Sequence, residues 1–187
     1  MINYPPNKLF LTKGVGVHRE RLVAFEEALR HAGIAQFNIV RVSSILPPGC
    51  QIIPREEGQK LLKPGQILFT VLSRHETNEN HRLIASSIGL SVPKDPAICG
   101  YLSEHESFGE DETVAGDYAE DLAASMLATI QGLDYDAGAN WDETRKLWRI
   151  SDKIVHSMNI TQTAIGQGGL WTVTVAAAVL IHDYPEK

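Results

Sequence analysis

Residues 38–49 read NIVRVSSILPPG: an alternating β-branched run, two adjacent serines, then a Pro-Pro-Gly stop. The alternation predicts a strand over 37–44, and two prolines without amide protons end it, because neither can continue a ladder. Ser43 and Ser44 therefore stand at a rigid strand exit. Upstream, NKLFLTKG reads as a short strand ended by Gly14, and HRERLVAFEEALRHAG carries Leu22, Phe25 and Leu29 at helical spacing with Gly33 as its stop. Downstream, GQILFTVLSR, HRLIASSIGLSVP, AICGYLSEHESF, KIVHSMNITQTAI and LWTVTVAAAVLIHDY are strand candidates, interrupted by one long helix over ETVAGDYAEDLAASMLATIQG. The last strand is apolar on both faces. Few helices, many strands and one strand with no polar face predict an α+β layered sandwich in which sheets pack on one another beneath outer helices. Residues 133–152, with polar turn chemistry around Gly138, read as a surface excursion holding a short helix at 141–148.

A length of 187 residues suits a single domain spanning 1–187, and a 43% hydrophobic content excludes disordered and low-complexity classes. The formal net charge of −6 argues against nucleic acid as a partner and is compatible with a cationic ligand. Cys50 and Cys99 are too few and too far apart for a disulfide framework or a metal site and read as buried thiols in a reducing compartment. The opening MINYPPNKLF lacks the layout of a signal peptide and no apolar run reaches membrane-spanning length, so the expectation is a cytoplasmic protein with no membrane partner. No metal is expected, since His75 and His81 flank ETNEN without ligand spacing. The GQGG run, residues 166–169, reads as a turn before the last strand. Gly14 and Gly16 permit either a close backbone approach to a ligand or a tight turn.

Serines at a strand end ordinarily satisfy backbone groups, and the second pair, Ser86-Ser87, with no Pro-Pro-Gly behind it, is read that way. At Ser43-Ser44 the residue types allow more. A serine hydroxyl held against the preceding carbonyl can attack it and convert the peptide bond to an ester, and a strained turn would ease that attack. β-Elimination then frees the upstream chain with Ser43 as its C-terminus and leaves dehydroalanine at position 44, which hydrolyses to a pyruvoyl ketone.

FNIVRVSSILPPG, preceded by AFEEALRHAGI and followed by SVPKD and GYLSEHE, resembles the pyruvoyl-dependent arginine decarboxylases over most of the chain. The resemblance implies a four-layer αββα sandwich and self-cleavage between Ser43 and Ser44 into residues 1–43 (β chain) and 44–187 (α chain). It also implies a homotrimer with active sites between subunits, and a pyruvoyl cofactor made from Ser44. The implied reaction converts arginine to agmatine and carbon dioxide, a step toward polyamines, with the amino acid as a small-molecule partner.

Carbanion protonation after loss of carbon dioxide needs a general acid. If GYLSEHESF is a strand, Glu104 and Glu106 share one face about 6.5 to 7 Å apart, with His105 on the other. The resemblance places the family's proton donor on Glu104, leaving Glu106 as a carboxylate neighbour or a surface residue. Asn38 lies six residues before Ser44, so in an unbroken strand both face the same way and its amide is a candidate donor to the carbonyl under attack. Glu26 lies about 40° from Leu22 on a helical wheel, inside the Leu22–Leu29 stripe. A carboxylate there calls for a cation: Arg30 at i+4, or a substrate guanidinium gripped through two hydrogen bonds. Lysine or ornithine as substrate, and an unprocessed homologue that binds a cationic metabolite, remain the alternatives.

Overall fold

A computed structural model of the protein describes residues 5–132 and 154–183. The expected excursion over 133–152 and its short helix lie outside the described residues. In chain order the elements are β1 (Lys8–His18), α1 (Arg21–His31), β2 (Asn38–Arg41), β3 (Ile45–Leu46), β4 (Gln51–Ile52), α2 (Arg55–Lys60), β5 (Ile67–Thr77), β6 (Leu83–Pro93), β7 (Gly100–Phe108), α3 (Glu112–Ile130), β8 (Ile154–Ile165) and β9 (Trp171–Ile181). The fold is α+β. A mixed five-stranded sheet runs β2-β5-β9-β1-β4, and an antiparallel four-stranded sheet runs β3-β7-β6-β8.

β9 explains the arrangement. Its odd positions Val173, Val175, Ala177, Val179 and Ile181 join a core with Ala24, Ala28 and Ala32 at the α1 end, while Ala176, Ala178 and Leu180 join a second core with Ile88, Leu90 and Leu102 of the other sheet. A strand apolar on both faces is thus buried on both faces, as its sequence demands. α3 packs on β6, β7 and β8 through Ala115, Ala119, Ala123 and Leu127. Its start is set by Asp111, whose carboxylate accepts the Val114 amide at 2.9 Å.

The stop at Gly33 is present as expected. With φ at +74° it closes a Schellman turn in which Ile34 N–H reaches the Leu29 carbonyl at 2.9 Å and Gly33 N–H the Arg30 carbonyl at 3.0 Å. The GQGG run also turns as expected, with Leu170 N–H on the Gln167 carbonyl and Gly169 at φ +78°.

Two readings of the N-terminal region are corrected. β1 does not end at Gly14 but runs through Gly14 and Gly16 to His18. These glycines neither face a ligand nor make a turn: a Cβ on Gly14 would stand 2.2 Å from the Ala28 carbonyl oxygen, and one on Gly16 2.1 Å from that of Ala24. Helix and strand backbones touch there, and this contact chooses the buried face of α1. Only alanines fit against the glycines, so Ala24 and Ala28 face inward, Phe25 and Leu29 flank them, and Leu22 is 76% exposed. The Leu22–Leu29 stripe is not the core face. The strand expected over 37–44 is also shorter, ending at Arg41, and the short elements β4 and α2 carry no sequence periodicity that reveals them.

Gly14→Ala should therefore lower the free energy of unfolding by on the order of 2–3 kcal/mol, the cost of overpacking a closed contact. Leu22→Ala should change it by less than about 0.5 kcal/mol, as at other surface sites. Denaturant titration of both variants checks the assignment; the reverse ranking would restore Leu22 to the core.

Candidate active site

β2 belongs to the five-stranded sheet and β3 to the four-stranded one, so the chain changes sheets across Ser43-Ser44. Each side of that peptide bond is tied to its own sheet. Val42 N–H donates to the Thr70 carbonyl of β5 at 2.9 Å, and the Ser44 carbonyl accepts Leu102 N–H of β7 at 2.8 Å. Between these anchors Ile45 N–H donates to the Ser43 carbonyl at 3.0 Å, closing a three-residue turn centred on Ser44. After β3, Pro47-Pro48-Gly49-Cys50 forms a type II turn, with Cys50 N–H on the Pro47 carbonyl at 3.2 Å and Gly49 at φ +67°. Pro-Pro-Gly is thus the reversal that sends the chain back to pair with β1.

Ser44 does not take a positive φ. Among the described residues His81 is the one non-glycine with positive φ, so Ser44 sits in the relaxed, inverse hand of its turn. Ser43 is exposed and Ser44 half-buried. Ser43 lines a largely apolar cavity of about 310 Å³ with Val42, Ile45, Phe69, Leu180 and His182. The His182 ring packs edge-on to Phe69 with centroids 6.1 Å apart.

Glu104 lies two residues beyond Leu102 on β7, half-buried, its Oε1 3.5 Å from Nη2 of Arg41. Arg41 is itself anchored by donating to the Leu72 carbonyl at 2.6 Å. Sequence reasoning passed over Arg41, although a position two residues before Ser43 in an alternating strand was signal enough. The alternation in β7 holds: Glu104 and Glu106 face the five-stranded sheet, whereas His105 turns to α3, bonding Glu110 at 2.8 Å and stacking on Tyr118. Glu106 accepts the Arg74 amide at 3.0 Å, which makes it a brace between β7 and β5. Beside it His75 packs on Phe108 with its Nε2 buried and unpartnered, and burial pushes its pKa down.

The remaining two candidates stand elsewhere in the chain. Asn38 opens β2, exposed, with its amide donating to the Gly65 carbonyl at 2.9 Å. Ser43 is five residues further on, roughly 16 Å of extended chain, and the strand ends between them, so the same-face argument from an unbroken strand does not apply. Glu26 accepts two hydrogen bonds from Arg30 Nη2, at 2.8 and 2.7 Å, so within one chain the i+4 partner holds it. It lines a separate cavity of about 430 Å³ with Arg30, Gly33, Ala35 and Gln36. The second serine pair is structural, as read: Ser86 and Ser87 are buried in β6 and bond Thr174 and Thr161.

Two other chemistries find little here. Among the described residues no group of three or more His, Cys, Asp or Glu side chains could hold a metal ion, and no helix is long and apolar enough to cross a membrane. Cys50 and Cys99, read as buried thiols, are both half-buried; Cys50, the thiol nearest Ser44 in the chain, packs against the core between the sheets, and desolvation pushes its pKa up to about 11.

The family profile described as "Pyruvoyl-dependent arginine decarboxylase (PvlArgDC)" matches residues 8–185. A protein of Nitrosopumilus maritimus named "Pyruvoyl-dependent arginine decarboxylase" is 53% identical over 182 residues, covering 97% of this chain and all of the relative. "Pyruvoyl-dependent arginine decarboxylase 2" of Methanosarcina mazei is 54% identical over 177 residues, 94% of this chain and 97% of its own. A Chlorobium phaeovibrioides protein named "Probable pyruvoyl-dependent arginine decarboxylase" is 54% identical over 180 residues, 96% of this chain and 99% of its own.

A half-buried thiol that is almost entirely protonated should resist alkylation. Iodoacetamide at pH 8 should leave Cys50 unmodified in the native protein and label it once denaturant is added; rapid native labelling, read by peptide mass, would show an accessible thiolate beside the serines.

Proposed function

This chain belongs to the pyruvoyl-dependent arginine decarboxylase family, and from that membership we propose that it cuts itself between Ser43 and Ser44 and then converts L-arginine to agmatine and carbon dioxide, a lyase reaction that feeds polyamine biosynthesis. The observation that carries the reading is the position of Ser44. It is the centre of a turn whose neighbouring carbonyl is already polarised, with a half-buried carboxylate, Glu104, projecting from the adjoining strand. Ser44 is the nucleophile and the residue that becomes the cofactor; Ser43 becomes the C-terminus of residues 1–43, and residues 44–187 form the second fragment.

The pyruvoyl group supplies a carbonyl that takes up the electron pair left by departing carbon dioxide. This chain provides a fitting place for it. The Leu102 amide fixes the carbonyl side of residue 44, and the open cavity beside Ser43 offers a largely apolar wall to a bound substrate. Glu104 delivers the proton to the carbon that has lost its carboxylate. Glu26 grips the guanidinium through two parallel hydrogen bonds, exchanging Arg30 for the substrate. Asn38, contributed from a neighbouring subunit, donates its amide to the substrate carboxylate after processing.

Glu26 and Asn38 stand away from Ser44 within one chain, which supports sites assembled between subunits of a homotrimer. The order α1, five-stranded sheet, four-stranded sheet, α3 is read as a four-layer αββα sandwich forming one domain. The proposed setting is the cytoplasm.

Intact mass tests the processing step. The wild type should run as fragments 1–43 and 44–187, Ser43→Ala should still be cut, and Ser44→Ala should stay whole; fragments of unchanged size from Ser44→Ala would end the proposal.

The two carboxylates separate by kinetics. Glu104→Gln should be cut yet turn over arginine about 10²- to 10⁴-fold more slowly, the range for loss of a general acid. Glu26→Gln should narrow the ratio of kcat/KM for arginine over lysine and ornithine, which is expected to be roughly 10² or more in the wild type. An unchanged ratio would leave Glu26 as Arg30's partner alone.

A further inference from the structure

We propose that the backbone N–H of Ile45 is the oxyanion donor of self-cleavage, so that the turn around Ser44 activates the bond that it breaks. This rests on the reading of Ser44 as the processed residue. Three successive hydrogen bonds carry the argument: Val42 N–H to Thr70, Ile45 N–H to the Ser43 carbonyl at 3.0 Å, and Leu102 N–H to the Ser44 carbonyl. The outer two pin the chain to different sheets. The middle one therefore cannot drift, and its acceptor is the carbonyl that must be attacked.

The turn lies in its inverse hand, without a positive φ at Ser44, and what it offers the peptide is charge stabilisation through the Ile45 amide. The asparagine that the sequence offers for that task is bonded to Gly65 at the far end of β2. When the Ser44 hydroxyl adds to the Ser43 carbonyl carbon, the Oγ–C bond forms and the carbonyl oxygen takes the negative charge. The C–N bond then breaks and the hydroxyl proton ends on the Ser44 nitrogen, giving an ester and a free amine. Loss of the Ser44 α-proton next breaks the Cβ–Oγ bond, freeing the Ser43 carboxylate and leaving dehydroalanine. One solvent water then releases ammonia and leaves the ketone. Full negative charge first develops on the Ser43 carbonyl oxygen when the hydroxyl adds, and that is where an amide 3.0 Å away already points. A neutral carbonyl gains a modest bond there and an oxyanion a strong one, which is the differential that lowers a barrier.

Replacing Ile45 by its α-hydroxy acid, through nonsense suppression or semisynthesis, removes this N–H and leaves the side chain. Self-cleavage of the full-length precursor, followed by intact mass, should slow by about 10²- to 10³-fold, the cost of losing one oxyanion donor. Ile45→Pro removes the same donor genetically and should slow cleavage by at least as much, whereas Ile45→Val keeps the N–H and should cleave within a few fold of wild type. All are scored on folded protein judged by circular dichroism. Wild-type rates from the ester or the proline variant, with the wild type itself cut, would overturn the donor assignment alone; an uncut wild type would remove both the assignment and the processing reading.

Discussion

The peptide between Ser43 and Ser44 is held where the chain passes from one sheet to the other, with Val42 bonded to β5 and Ser44 bonded to β7. Much else in the structure is what it takes to keep those two anchors in place. β5 is fixed by its antiparallel register with β9 from Phe69↔Leu180 to Thr77↔Thr172, and β7 by its register with β6 from Ile84↔Phe108 to Ser91↔Tyr101. The two sheets are locked by the apolar core between them, in which Leu46, one residue after β3 begins, is buried beside Leu90, Leu102 and Leu180. A bond tied to two rigid bodies on either side can be cut without its ends moving apart, since neither anchor depends on the bond itself.

The same geometry explains why the reactive residue can be a serine. A free hydroxyl is a weak nucleophile, and the Cys50 thiol nearby is half-buried with its pKa pushed up to about 11. What the fold offers is position. Attack on the preceding carbonyl is intramolecular, and the cost of orienting the turn is met by ladder hydrogen bonds formed for structural reasons. Glu104 gains its place in the same way, from alternation along β7 and from Arg41, whose guanidinium donates to the Leu72 carbonyl and forms an ion pair with the β7 carboxylate.

The outer helices illustrate how small residues decide packing. α1 meets β1 at Gly14 and Gly16, and α3 meets β6 at Gly89, where a Cβ would stand 2.0 Å from the Ala119 carbonyl oxygen. At both ends a helix rich in alanine lies against a strand containing glycine, and backbone approaches backbone. Burial per residue is modest in such contacts, but dispersion over many close atoms and the absence of voids compensate. Larger side chains are pushed to the flanks, which leaves Glu26 half-buried at the helix margin, where its partner Arg30 can be displaced from solvent.

Local chemistry was sufficient for several of these features. Two prolines end a ladder because neither has an amide proton, Gly33 closes a helix because φ must turn positive there, and a strand such as β9 with no polar face must be covered on both sides. The serine pair and the alternation of Glu104 and Glu106 were legible for the same reason: period-2 geometry is a property of a strand and needs no partner. The buried face of α1 was not, since hydrophobicity favours Leu22 while the closed contact with Gly14 and Gly16 admits only alanine, a constraint that exists only once strand and helix are adjacent. Nor could the sequence place β2 and β3 in different sheets, end β2 before Ser43, or separate Asn38 from the serine that it was expected to serve. Those outcomes depend on which strand bonds which, through contacts between residues far apart in the chain, and tertiary packing alone selects among them.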